Sequence, residues 1–262
     1  MSSKYIYHLT ALLFFLLYYI FRGQLNYYSS KDFITILNVN QGDAILVSSV
    51  GESVLIDSGP SSYSLFNVKD YLLDKKPQIY VATHLHSDHI SGFNYFLPKS
   101  PLIISNCITL ECNKIEYTTG PVRENLRPFS FLNNKQIGNF KFTILYPTNT
   151  CDDTNLNNCS LALLAVHIPS GKKALLLADN DSQIQQNYLH QVGDVYLLKI
   201  PHHGGVAALN VDLANKSHPK IAVISVGKNS YGHPSQKVID YYESIGTKVL
   251  RTDREGDVVV EF

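Results

Sequence analysis

Within "HLHSDH", residues 84–89, stand three of the chain's ten histidines and an aspartate. Imidazole and carboxylate together suit a divalent cation such as zinc, manganese or iron. In an extended loop alternate residues point the same way, so His84 and His86 can share one ion, while Asp88 and His89 can turn towards a second. Hydrolysis is one chemistry that such a centre can support. A cation-bound water is acidified towards neutrality, and the same cations polarise the carbonyl or phosphoryl oxygen under attack. The bland reading, a polar loop with a chance cluster, does not explain this density.

Further chemistry-bearing residues are scattered along the chain. "VLIDSG" ends on Asp57, "ALLLAD" ends on Asp179, "HHGG" carries His202 and His203, and "YGHP" carries His233. Asp57 with Ser58 and Gly59, or Asp179 with Asn180 and Asp181, would equally read as ordinary strand-end turns. Gly204 and Gly205 allow close backbone approach after the histidine pair. His167, in "LALLAVHI", reads as a core or edge histidine of a strand. His8, His190 and His218 have no partners in sequence.

The elements that must position these residues are short and β-rich. "FITILNV" and "AILVSSV" read as strands around the turn "NQGD", and "SVLIDSG" as a third. "LFNVKDYLLD" has helical spacing, "QIYVATH" is the strand that delivers the cluster, and "ISGFNYFL" reads as the helix after it. Residues 100–140 are irregular. "FKFTILYP", "LALLAVHI" and "KALLLAD" are strands, "SQIQQNYLHQV" a polar helix, and "VYLLKIP" and "KIAVISVG" strands again. "NSYGHPSQKVIDYYESIG" is a loop and helix, and "TKVLRT" and "DVVVEF" close the chain as strands. This pattern predicts one α/β domain over 31–262 with mixed sheets packed face to face.

Composition bounds the function. Of 262 residues 45% are hydrophobic and 17% charged, which describes a globular chain with a sizeable core. Lys plus Arg equal Asp plus Glu at 22 each, so no broad basic surface for gripping nucleic acid is expected. The run Tyr5–Phe21 is apolar all round between Lys4 and Arg22, at the lower limit of a membrane span. With no small-residue cleavage site after it, residues 1–30 read as a signal-anchor or signal peptide with a short linker. That places the domain, membrane-anchored or secreted, on the extracytoplasmic side. Cys107/Cys112 and Cys151/Cys159 would then form short-loop disulfides, with free thiols the alternative.

"THLHSDHISG", residues 83–92, resembles the H-x-H-x-D-H signature of the metallo-β-lactamase superfamily. "LNVNQGDAILV", "VLIDSGP", "LLKIPHHGG", "VISVGKNSYGHP" and "LRTDREGDVVVEF" follow in the order seen in the hydrolase domain of ComEC-type competence proteins, covering about residues 33–262. The resemblance implies an αββα sandwich, here preceded by an N-terminal hydrophobic helix, with a dinuclear site at one edge of the sheets. It implies two divalent metal ions, zinc or manganese. His84 and His86 match ligands of the first ion, Asp88 and His89 of the second, and Asp179 the bridging carboxylate, with Ala178 where the family has glycine. His233 matches the last ligand of the second ion. His202 and His203 resemble paired histidines facing substrate; one of them can instead be a ligand, and His202 is carried as such. Asp88 and His203 are the catalytic candidates, with Asp57 orienting the cluster from behind. Asn157 and Ser160 match an Asn-x-x-Ser block where other members place a third histidine, so the Asn157 carbonyl or water would complete the first site. Serine often stands where this chain has Gly205.

The function implied is a metal-dependent hydrolase of phosphodiesters, with DNA as a candidate substrate. Alternatives on the same fold are lactone, thioester or β-lactam hydrolysis, or a non-catalytic metal-binding module.

Overall fold

The structure, a computed structural model, describes residues 31–60, 77–93, 132–149 and 155–262, with strands at 102–105 and 126–128 and residues 13, 14, 68, 72 and 130. The apolar run Tyr5–Phe21, expected as a helix and membrane or signal segment, lies outside the described residues except Leu13 and Phe14. Among the described residues no helix is long and apolar enough to cross a membrane. Cys159 is disulfide-bonded, and Cys107, Cys112 and Cys151 lie outside the described residues.

Two sheets of seven strands each are present among the described residues. In chain order the strands are β1 Phe33–Ile36, β2 Ile45–Ser49, β3 Glu52–Ile56, β4 Ile79–Ala82, β5 Leu102–Ser105, β6 Leu126–Pro128 and β7 Gln136–Ile137. They continue as β8 Phe140–Tyr146, β9 Ala162–His167, β10 Lys173–Leu177, β11 Leu197–Lys199, β12 Ile221–Ile224, β13 Lys248–Arg251 and β14 Val258–Glu261. The first sheet has the order β14-β1-β2-β3-β4-β5-β6 and the second β13-β12-β11-β10-β9-β8-β7. In each, antiparallel hairpins give way to parallel neighbours: β3 to β6 in one, β10 to β13 in the other. The last strand closes the sequence back onto the first, with Ile34 opposite Val260.

Alternation explains the near-continuous apolar runs. Ile34, Ile36, Val47, Val54 and Ile56 face Phe140, Phe142, Leu163, Leu176 and Val223 across the space between the sheets. The intervening residues face outward and are buried too. Leu46, Leu55 and Tyr80 pack with Val68, Leu72 and Phe93. A strand covered on both faces has no polar side to show.

Short helices fill the connections: α1 Ser87–Ile90, α2 Ser182–Gln185, α3 Val211–Ser217, α4 Gln236–Ser244 and α5 Thr252–Glu255. Leu213 and Ala214 of α3, with Val238, Ile239 and Tyr242 of α4, cover the outer face of the second sheet at Leu175, Leu198, Ala222 and Ile224. The polar helix expected over 182–192 is instead α2 and a 3-10 turn, Leu189–Gln191. The chain breaks because the Gln185 amide donates to the Asn180 and Ala208 carbonyls, and Tyr188 turns fully into the core. Helix α3 had no sequence expectation; the Asn210 side chain caps it by accepting from Leu213 N, and left-handed His218 (φ 36°) ends it.

His167, the only histidine between the cluster and Asp179, belongs to the core. Its Nε2 lies 2.8 Å from Asp32 Oδ2 and its Nδ1 2.6 Å from Ser170 Oγ. Asn139 Nδ2 and Ser49 Oγ also donate to that carboxylate, tying the start of β1 to the β9–β10 hairpin.

Candidate metal centre

The groups of the centre leave their strands at one end. Asp57 follows β3, and Thr83 and His84 follow β4, its parallel neighbour. In the other sheet Asp179 follows β10, His202 and His203 follow β11, and Ser225 follows β12, again parallel. Carboxyl ends of parallel strands gather side chains at one edge, where α/β sheets bind ligands. Here two such edges meet. His86 is still extended (φ −71°, ψ 146°), and α1 begins at the next residue. The alternation that pairs His84 with His86 therefore stops before Asp88 and His89.

His84 Nε2 and His86 Nδ1 are 3.0 Å apart. Asp179 Oδ2 lies 3.8 Å from His84 Nε2, 3.3 Å from His89 Nε2 and 3.8 Å from His203 Nε2. Asp88 Oδ2 lies 3.3 Å from His203 Nε2 and 4.0 Å from His89 Nε2. Two overlapping groups face the cavity, His84–His89–Asp179 and Asp88–His89–His203, and a third, Asp43–Asp57–His89, lies behind them, with ligand atoms within 4.8 Å of one another in each. Asp179 touches the first two, the place a bridging carboxylate needs.

The structure sets the two histidines of the pair apart. His203, expected to face substrate, is buried and turns its Nε2 to Asp88 and Asp179, while its Nδ1 donates to the Ser225 carbonyl over 2.9 Å. A carbonyl can only accept, so Nδ1 keeps the proton and Nε2 is left for a cation. His202, expected as a ligand, instead sets its Nδ1 3.2 Å from Asp181 Oδ1 and its ring 5.4 Å from that of His233. His233, also expected as a ligand, joins none of these groups; its ring stands 6.5 Å from that of His203. The backbone is the cause: His202 and His203 are both left-handed (φ 49° and 51°), so the chain reverses between them and only one side chain points inward. A Cβ at Gly205 would lie 2.7 Å from His233 Nε2, so a side chain there would displace that ring.

The residues fit a cation by their unpaired atoms. His89 Nε2 and Asp179 Oδ1 are buried with no hydrogen-bond partner, and so is Asn157 Oδ1. Buried polar atoms seldom go unpaired, and a bound cation would satisfy these. Behind them Asp57 accepts from His89 Nδ1 at 2.6 Å, Thr83 N at 2.8 Å and Thr83 Oγ1 at 2.7 Å, which fixes the His89 tautomer with Nε2 facing the cluster. Asp57 is left-handed too (φ 56°).

The profile of the metallo-beta-lactamase superfamily matches residues 37–124, the stretch that holds Asp57 and the His84–His89 cluster. That stretch reads as a metallo-beta-lactamase domain, and the two sheets have the metallo-beta-lactamase fold. The chain is also similar to ComEC-type proteins. ComE operon protein 3 of Bacillus subtilis is 27% identical over 88% of this chain and 33% of its own length. Recombination protein 2 of Haemophilus influenzae is 26% identical over 86% of this chain and 28% of its own length. The chain thus spans about a third of the length of the curated relatives it matches. The metallo-beta-lactamase fold protein YhfI of Bacillus subtilis superposes with a TM-score of 0.58 at 15% identity, over 88% of this chain and all of that one.

On this metallo-beta-lactamase frame the electrostatics divide the histidines. Burial, with the nearby charge of His89, holds His84 well below the usual histidine value. Burial also lowers His86 and His233. For His89 burial works the other way from its carboxylates, yet Asp179 and Asp57 outweigh it and raise it well above that value. His203 is raised against burial by Asp179 and Asp88. Asp179 and Asp88 are lowered despite burial, Asp179 by His89 and His203, Asp88 by its His203 hydrogen bond and His89.

A cavity of ≈ 560 Å³ opens over the cluster, lined among others by His86, Asp88, Asn157, Asp179, His202 and His233. The departure Ala178 is buried, its N–H donating to Leu161 O and its carbonyl accepting from His202 N, where a methyl group is accommodated. Sequence reasoning missed Asn180, Ser225, Asp43 and Lys199. Asn180 is buried and donates to Ser160 O and Oγ at 2.8 Å, holding the residue next to Asp179. A lysine inside the apolar run "YLLKI" was the one signal available for the last of these.

Proposed function

We propose that this chain is a metal-dependent phosphodiesterase that uses two divalent cations, zinc or manganese. The observation that carries this reading is the convergence of His84, Asp88, His89, Asp179 and His203, with orphaned ligand atoms, beneath one open cavity that His86, Asp88 and Asp179 line. His84 and His86 with Asp179 would hold the first cation, Asp88, His89 and His203 with Asp179 the second. When bound, such cations polarise the scissile group and acidify a water to a hydroxide nucleophile. The chain's own residues do the rest. Asp88, whose side chain is 32% exposed towards the cavity, is the group placed to take the proton of the attacking water. Asp57 and the Ser225 carbonyl keep His89 and His203 as Nδ1–H tautomers. His202 and His233 at the rim supply N–H groups for the non-bridging oxygens of a phosphodiester.

The fold alone does not choose the substrate. Imidazole and carboxamide groups in the lining, beside Leu85, Leu156 and Tyr231, suit the oxygens of a phosphodiester, and similarity to a protein named for recombination makes DNA the polymer to test. With no excess of basic residues, contact with a strand end or a short single-stranded segment suits this chain better than a long duplex footprint.

The test offers the purified chain, loaded with manganese or zinc, bis-p-nitrophenyl phosphate, single-stranded DNA and a lactone in parallel. EDTA-sensitive cleavage of the two phosphodiesters supports the reading. Lactone turnover alone would replace the substrate class, and metal uptake without turnover on any of the three would leave a binding module.

A further inference from the structure

Beneath the centre lies a buried ion pair that the ligand set does not use. Lys199 on β11 is 0% exposed and Asp43, in the turn between β1 and β2, 1% exposed; Lys199 Nζ and Asp43 Oδ2 are in direct contact. The two residues belong to different sheets. A pair taken so far out of water gains little net stability, because desolvation offsets the attraction, so its presence points to a demand for position.

What surrounds Asp43 shows which position. Its Oδ1 has no hydrogen-bond partner and lies 3.5 Å from His203 Nδ1, and its Oδ2 lies 3.9 Å from His89 Nδ1. The turn is fastened to both halves of the cluster. Asp43 N donates to Asp88 O at 3.2 Å, and Ser225 Oγ donates to Gly42 O at 2.6 Å. Ser225 is the residue whose carbonyl accepts the hydrogen bond from His203 Nδ1. Gly42 has φ +144°, and a Cβ there would collide with Asp88 O, so the approach requires glycine.

The second cation position draws Asp88 and His89 from one sheet and His203 from the other. A ligand set must be held to about 0.5 Å to work, and side chains on separate sheets need a rigid link to achieve that. We propose that Asp43 and Lys199 are positioning residues: the pair clamps the two sheets beneath the cluster and holds the His203 ring with Nε2 towards Asp88 and His89. The second cation position is then assembled before an ion arrives. This rests on the metal-centre reading above, and it separates from the rival in which the pair is only a cross-link of the fold.

The test uses the full chain with D43N, which keeps the side-chain shape, and the double variant D43N/K199M, which leaves no lone buried charge. Cadmium is titrated calorimetrically into each. The expected result is two equivalents in the wild type. In both variants the first equivalent keeps its affinity and the second is weakened about 10- to 100-fold, the usual effect of losing a partner behind a ligand. A folded variant that takes up both equivalents at wild-type affinity overturns the proposal. A wild-type chain that binds no cadmium overturns the metal reading and this inference with it. Should both variants fail to fold, long-range 1H–15N spectra of the wild-type histidines decide. At a pH where the His203 ring is neutral, one Nδ1–H tautomer both with and without cadmium supports a preassembled position, and tautomer exchange without cadmium overturns it.

Discussion

His89 donates through Nδ1 to Asp57 Oδ2 over 2.6 Å, and both side chains are closed off from solvent. The bond spans 32 positions of sequence and decides which nitrogen of His89 faces the cluster. Asp57 holds this role at a left-handed backbone position, which asparagine tolerates and alanine does not. Asp57→Asn is therefore expected to fold while weakening cation binding about 10- to 100-fold. Asp57→Ala should also lower stability by roughly 2–4 kcal/mol, through lost hydrogen bonds and strain. Calorimetric metal titration and urea midpoints check the two parts.

His202 and His203 should separate cleanly. His203→Ala removes a group 3.3 Å from Asp88 and is expected to abolish the second equivalent of metal and reduce kcat at least about 100-fold. His202→Ala leaves both equivalents in place and raises KM, by roughly 10-fold for one lost hydrogen bond to a charged group. Metal analysis beside steady-state kinetics on bis-p-nitrophenyl phosphate tests both. Equal metal loss in the two variants would contradict the geometry.

Cation uptake should depend on pH at one position and not at the other. His89 and His203 are raised above the usual histidine value by Asp179 acting against burial, so a cation entering there competes with protons more than it does at His84. His84 is lowered by burial and is already neutral at neutral pH. The sign follows: affinity of the second position rises with pH through and above neutrality, and that of the first stays flat. Calorimetry in buffers of different ionisation enthalpy should show protons released mainly with the second equivalent.

His167→Ala serves as the structural counterpart. It breaks the 2.8 Å contact to Asp32 and the 2.6 Å contact to Ser170, away from the cluster. Stability should fall by about 1–3 kcal/mol with metal content and activity unchanged. Loss of metal from this variant would show that His167 completes the first position after all.

Gly205→Ala tests the rim. Its Cβ would lie 2.7 Å from His233 Nε2, so His233 must move. KM should rise several-fold while both cations stay bound, since His233 belongs to neither ligand group. Steady-state kinetics with metal analysis would show it.

The sequence by itself determined what short range can encode. The two-residue spacing of His84 and His86, the strands that end on Asp57 and Asp179, and the doubly covered apolar runs follow from local geometry and from which faces need burial. So did the two-sheet architecture, since alternating strands must hide both faces. The histidine pair escaped it. Whether His202 or His203 turns inward depends on two consecutive left-handed residues, a conformation held by packing and not by the side chains' own preference. His203 meets Asp88 across 115 residues, and Lys199 meets Asp43 across 156. A charge on a strand shows nothing of its partner until another sheet is laid against it. Only the docking of the two sheets decided that Lys199 would be buried, that Asp43 would face it, and that His203 would complete the cluster.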